Sequence, residues 1–237
     1  MGLSSLELRQ KTAPTRVGAT LSMMVELFPD YVVTCEADPQ LVYHSAIPEE
    51  AGYIANAVPR RRMQFLAGRV CARRALATLG IAAGPIPVAK DRSPVWPHGV
   101  VGCISHVDGY CGAAVARTVN ARGIGFDIEY LTSVLPEFVD RICGPSELVW
   151  LHALPSEDRQ RAASLIFSAK EAVYKCVHPI VKEWLDFHDV AIVPDVAGGT
   201  FRSEFLVDYE RFGKGSAVNG AFAFYKEYVC TAIVMGV

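Results

Sequence analysis

The stretch Gly123-Ile124-Gly125-Phe126-Asp127-Ile128-Glu129 sets two acids one residue apart at the end of an apolar run. Read as a strand it alternates sides with a period of two, so Asp127 and Glu129 project from one face while Ile128 points into the core. Two carboxylates on one face repel unless water or a cation separates them. A strand end turning outward would satisfy them with water, and a bound divalent cation would satisfy them as a site. Oxygen-only ligands suit Mg²⁺ or Mn²⁺, ions that keep water and bind the phosphate oxygens of a substrate. The two glycines lack the third glycine and the following helix of a dinucleotide fingerprint. They read as room for close backbone approach at the start of the strand.

Further along, Phe167-Ser168-Ala169-Lys170-Glu171-Ala172-Val173-Tyr174-Lys175 carries a third acid on a helical pattern. Glu171 and Lys175 have the i,i+4 spacing of a surface ion pair, worth about 0.2–0.5 kcal/mol. Taken with Lys170, the same helix supplies one metal oxygen and two cations, the mixture that a diphosphate-transfer site requires. Upstream stands Arg60-Arg61-Arg62. At about 100° per residue, Arg62, Arg69 and Arg73 fall within ~40° of one another, beside Phe65, Leu66 and Leu76. Arginines on a half-apolar helix face point to a buried anion rather than to solubility. Ser105-His106 ends a strand, where a side chain reaches a cleft. Neighbouring strand residues face opposite ways and no G-x-S-x-G elbow exists, so a hydrolase triad is not expected.

The whole chain has 237 residues, 51% hydrophobic and 20% charged, in the range of ordinary globular proteins and of a size between one large domain and two small ones. A net charge of −2 provides no global field for nucleic acid, so none is expected as a partner. No apolar run reaches the roughly 18 residues of a membrane helix, and the first thirty residues carry no secretion pattern, so no membrane partner and a cytoplasmic location are expected. The seven cysteines are odd in number and scattered without a C-x-x-C pair. They read as reduced core residues.

Punctuation divides the rest. A polar, aperiodic opening to about Thr20 reads as frayed. Two apolar runs follow, LSMMVELF and the strand-like YVVTCEA. One helix is predicted over Glu49–Leu79, opened by Pro48 and closed by Gly80, and a proline-rich loop over Ile81–Gly102. The strands VVGCISH and YCGAAVART are joined by the turn Val107-Asp108-Gly109. After GIGFDIE and a mixed stretch, a second helix is predicted around Arg159–Lys175, ending near His178-Pro179. FHDVAIV, FRSEFLVDY, AFAFYKEY and YVCTAIVM alternate like the strands of a second sheet. Helix then strands, twice over, predicts two α/β halves, residues 1–120 and 121–237.

In this order and spacing, RRRMQFLAGRVCARRAL, RSPVWPHGVVGCISH, GIGFDIE and FSAKEAVYK resemble the 4′-phosphopantetheinyl transferases, and more narrowly the Sfp-type, EntD-like branch, over roughly residues 60 to 190. The resemblance implies an α/β (α+β) monomer whose two similar halves pack as a pseudo-dimer around a cleft for coenzyme A. It implies transfer of phosphopantetheine from coenzyme A to a serine of an apo acyl or peptidyl carrier protein, in nonribosomal peptide, siderophore, polyketide or fatty-acid synthesis, releasing adenosine 3′,5′-bisphosphate. Asp127, Glu129 and Glu171 match the family's Mg²⁺ ligands, Mn²⁺ being an alternative. Glu171 also matches the residue that activates the carrier serine, directly or through water. Lys170 and Lys175 match lysines near the diphosphate. Arg61, Arg69, Arg92 and His106 match contacts of the 3′-phosphate and its neighbours, and Ser105 is counted with the coenzyme A-binding residues. Arg62 and Arg73 match no contact. Phe126 replaces a small β-branched residue, Val107 replaces a hydroxyl, and Ile128 cannot ligate, which leaves water to complete the shell. From the residues alone, another Mg²⁺-dependent transferase or hydrolase of nucleotide diphosphates, or a non-catalytic coenzyme A-binding module, stays open.

Overall fold

In the computed structural model, which describes residues 23–45 and 47–237 and the backbone of 16–17 and 20–21, the polar opening lies almost wholly outside the described residues. A two-residue hairpin, β1 (Arg16–Val17) with β2 (Thr20–Leu21), precedes the main body. LSMMVELF forms a 3₁₀ turn at Val25–Leu27, with Met24 and Leu27 buried.

The first sheet has the order β3-β5-β4, with β3 (Val33–Ala37), β4 (Val100–Val107) and β5 (Tyr110–Arg117) all antiparallel. Between β3 and β4 run the short helices α1 (Pro39–Val42) and α2 (Pro48–Ala51), then the long α3 (Pro59–Thr78). The single helix expected over Glu49–Leu79 is therefore two. Val58 precedes a proline and is extended at φ −60°, ψ 151°, and Pro59 restarts the helix at its first position. Gly80 closes α3 in the left-handed region at φ 77°. Ala67, Cys71, Ala75 and Leu76 of α3 pack against Ala113 and Val115 of β5.

The second sheet has five antiparallel strands in the order β6-β10-β9-β8-β7: β6 (Ala121–Tyr130), β7 (Val190–Asp195), β8 (Thr200–Phe205), β9 (Ala217–Tyr225) and β10 (Tyr228–Gly236). The connection from β6 to β7 holds α4 (Val139–Ile142), α5 (Pro145–Ala153) and α6 (Ser156–Val181). The mixed stretch thus contains a helix, α5, opened by Pro145, with the Glu147 side chain accepting from the Gly144 N–H at 2.6 Å. Helix α6 outruns its expected end. Pro179 sits in its last turn, and Lys182 closes it in the left-handed region, its N–H donating to the His178 carbonyl at 2.9 Å.

Strand β6 joins the two layers, and its two faces have different work. Ile124, Phe126 and Ile128 are buried with Cys103 and Ala114 of the first sheet. The bulk of Phe126 is accommodated by a glycine opposite: a Cβ at Gly112 would stand 3.0 Å from the Phe126 ring and 2.6 Å from Met24 Sδ. The other face lies under α6. A Cβ at Gly123 would stand 2.7 Å from the Cys176 carbonyl oxygen, and one at Gly125 only 1.9 Å from that of Ala172. The glycines let the helix settle onto the strand, and Asp127 and Glu129 continue the same face. Gly125→Ala is therefore expected to cost about 1–3 kcal/mol by urea denaturation, because a helix backbone must move. Unchanged stability would show that the approach is not tight.

The seven cysteines are free thiols, six of them buried and Cys35 partly so. Among the described residues no helix is long and apolar enough to cross a membrane.

Candidate functional site

Where β4, β6 and α6 meet, a cleft of about 590 Å³ opens, lined by Arg61, Arg92, Ser105, His106, Asp127, Glu129, Glu171 and Lys175 among others. Sequence separations of more than a hundred residues collapse here, because β4 brings Ser105 and His106 against β6 and α6 lies along the glycine face.

Asp127 is 2% exposed. Its Oδ1 accepts from Ser105 Oγ at 2.9 Å and from Lys175 Nζ at 2.5 Å, and Lys175 Nζ also donates to Ser105 Oγ at 3.1 Å. Its Oδ2 is buried and accepts nothing. Burial raises the Glu171 carboxyl, with Lys175 opposing and Asp127 adding to the shift. Burial and the Asp127 charge push Glu129 up to about 7. Burial alone would lower Lys175, but Asp127 and the neighbouring groups outweigh it and hold the ammonium above its ordinary value.

Three carboxylates with an unsatisfied buried oxygen are an oxygen-only donor set of the kind hard divalent cations take. As placed, no three His, Cys, Asp or Glu groups among the described residues are gathered closely enough to enclose an ion. Without a cation, the raised Glu129 has a stability consequence. Between its ordinary value and about 7 the folded state binds more protons than the unfolded, so stability falls as pH rises through that window. Melting of the wild type in EDTA should drop between about pH 5 and pH 8, and Glu129→Gln should flatten the slope. An equal slope in the variant would reject the assignment.

The basic end of the cleft starts at Arg61, whose Nη1 donates to His106 Nε2 at 2.6 Å. Burial, then Arg61, lowers His106 to about 4, so the ring is neutral and its other nitrogen carries the proton. Arg92 enters the cleft from a left-handed conformation, φ 67°, in a turn closed by its N–H on the Ala89 carbonyl at 2.9 Å. Asp91 stiffens that turn by accepting from Ser93 N–H at 3.0 Å and Ser93 Oγ at 2.6 Å.

Two residues expected at the ligand lie elsewhere. Lys170 is turned away from the cleft: its Nζ donates to Glu147 Oε2 at 2.7 Å, the Ile142 carbonyl at 2.8 Å and the Phe187 carbonyl at 2.6 Å. An ammonium has three donors, and all are committed, so none remains for a phosphate. Arg69 is 4% exposed, its Nε on the Ile86 carbonyl at 3.0 Å and its guanidinium 4.5 Å from the Phe65 ring centroid, outside the residues that line the cleft. The helix face that suggested a buried anion holds a protein carboxylate instead: Glu50, fully buried, pairs with Arg73 and accepts from the Ile86 N–H at 3.1 Å. Arg62 donates to the Ala55 carbonyl at 3.3 Å.

Tyr174, His178 and Lys182 also line the cleft and were missed. Their signal was available as the i,i+3, i,i+4 stripe of Glu171 and Lys175 continued to the true end of α6. Asp91 stands 3.9 Å from both His178 Nδ1 and Lys182 Nζ, so the Arg92 turn is tethered to that end. Arg122 and Trp96 complete the wall, with no sequence pattern that marks them.

Comparison with known proteins gives the same reading along most of the chain. Residues 49–116 match the model of the 4′-phosphopantetheinyl transferase N-terminal domain, and residues 123–233 that of the 4′-phosphopantetheinyl transferase superfamily. The chain is 38% identical over 194 residues to the 4′-phosphopantetheinyl transferase Svp of Streptomyces mobaraensis, covering 78% of this chain and 77% of that one. It is 38% identical over 200 residues to the 4′-phosphopantetheinyl transferase PptT of Mycobacterium tuberculosis, covering 80% and 86%. Over 143 residues it is 36% identical to enterobactin synthase component D of Escherichia coli, covering 60% and 64%. Among solved structures, a holo-(acyl-carrier-protein) synthase from Bacillus anthracis in complex with CoA (3′,5′-ADP) aligns at 22% identity and a TM-score of 0.36, covering 49% of this chain and 97% of that one.

Proposed function

We propose, because this chain belongs to the 4′-phosphopantetheinyl transferase superfamily, that its cleft binds coenzyme A with the diphosphate at the Asp127 end and the adenosine phosphates at the Arg61 end. The chain is a 4′-phosphopantetheinyl transferase. The observation that carries the proposal is the meeting, in one cleft, of three carboxylates and Lys175 with Arg61, Arg92 and His106.

In the proposed reaction the carrier serine oxygen attacks the phosphorus bearing the pantetheine arm. A new P–O bond forms, the bond to the second phosphate breaks, and adenosine 3′,5′-bisphosphate leaves with the electron pair. Glu171, raised by burial, takes the serine proton directly or through water. Lys175 offsets charge on the leaving phosphate. Asp127, Glu129 and Glu171 would hold Mg²⁺ or Mn²⁺, which supplies charge neutralisation at the phosphate oxygens when bound. Arg61, Arg92 and neutral His106 donate to the adenosine end. Residues 1–120 and 121–237 are proposed as the two halves contributing the adenosine end and the metal end, in a cytoplasmic monomer.

Intact mass spectrometry tests the reading with coenzyme A, Mg²⁺ and apo carrier proteins of the acyl and peptidyl types. One phosphopantetheine added per carrier, lost in EDTA, is the expected result. No mass change with any carrier overturns it, and nucleotide hydrolysis without a carrier would favour a hydrolase.

A further inference from the structure

Ser105 stands at the junction of the two sheets, on β4 of the first and against Asp127 on β6 of the second. It is 5% exposed. We propose that Ser105 is a positioning residue that fixes Asp127 with its second oxygen left free for a divalent cation. This rests on the cation reading above.

A serine hydroxyl has one proton to give. Lys175 Nζ, 3.1 Å away, has no lone pair and must be the donor to Ser105 Oγ, which leaves the hydroxyl proton for Asp127 Oδ1 at 2.9 Å. Both protein bonds to the Asp127 carboxylate therefore fall on one oxygen, because Lys175 Nζ reaches the same Oδ1 at 2.5 Å. Oδ2 is buried with no acceptor role filled. Leaving a carboxylate oxygen buried and unbonded is costly unless a ligand completes it. The triangle of Ser105, Lys175 and Asp127 thus sets which oxygen is held and which is presented. A carboxylate held by Lys175 alone could swap its oxygens about the terminal torsion, where wells are broad. The serine also ties the strand that carries His106 to the strand that carries the acids.

The test is Mn²⁺ binding to the full chain by electron paramagnetic resonance, with melting and coenzyme A kinetics alongside. Ser105→Ala should weaken Mn²⁺ binding about tenfold or more, as loss of a bond to a ligating carboxylate does, and lower kcat while KM for coenzyme A stays within about twofold. Ser105→Thr, which keeps the hydroxyl, should restore both. Should Ser105→Ala melt early, Ser105→Cys keeps the volume with a weak donor and carries the same expectation. Mn²⁺ affinity equal to wild type in Ser105→Ala and Ser105→Cys, or a raised KM with unchanged Mn²⁺ affinity, overturns the positioning role alone. A wild type that binds no Mn²⁺ overturns the cation reading with it.

Discussion

Glu171→Gln is expected to lower kcat for transfer by about a hundred- to ten-thousandfold while the protein folds normally. The side chain sits on α6 one turn before Lys175, in the cleft that also holds Asp127 and Glu129. Glutamine keeps the volume but neither accepts the serine proton nor gives a cation an anionic oxygen. Folding should not suffer, since burial already raises this carboxyl and removing one of several crowded acids relieves repulsion. Progress curves by intact mass, with a melt of the same sample, read both halves of the expectation. A Glu171→Gln variant that transfers at the wild-type rate would remove Glu171 from the reaction. Asp127→Ala should also abolish transfer, but it strips Lys175 of its counter-charge as well, so Glu171 is the cleaner probe.

Lys170→Met is expected to cost about 3–5 kcal/mol of stability, the penalty for leaving one member of a buried pair without its partner. Glu147 is 1% exposed and bridges three elements: it accepts from the Gly144 N–H, from the Ile192 N–H at 2.7 Å, and from Lys170. Methionine fills the space but removes the cation, and two backbone carbonyls lose their donor with it. Adding Glu147→Gln should recover part of the loss, because it removes the unpaired buried charge, although its single amide oxygen can accept from only one of the two N–H groups that the carboxylate meets with separate oxygens. Guanidinium denaturation of the single and double variants checks this. A Lys170→Met variant within about 1 kcal/mol of wild type, with KM for coenzyme A raised instead, would return Lys170 to the ligand.

The fates of the two lysines show how much of the site could be read from the chain. Lys170 and Lys175 are five residues apart on one helix, so they point in different directions, yet the type and spacing of FSAKEAVYK are equally compatible with either lysine in the cleft. The choice depends on what faces each side of α6: Glu147 from α5 on one, Asp127 from β6 on the other. The face of the arginine helix that carries Arg62, Arg69 and Arg73 is decided in the same way, while Arg61 on that helix does line the cleft. That half-apolar face correctly announced a buried anion, but the anion is Glu50, set against Arg73 by the break at Pro59 that separates α2 from α3.

What the chain determined by itself is local. Period-two alternation put Asp127 and Glu129 on one face, the glycines before them marked a close approach, and the order of motifs identified the family. Each follows from backbone geometry over a few residues. Only the tertiary structure decided which cations line the cleft, that Oδ1 of Asp127 is bonded and Oδ2 is not, and that the end of α6 is tethered to the Arg92 turn. Those outcomes turn on which side chain from a distant segment reaches a buried charge first, and a buried charge must be answered by whichever partner the packing brings.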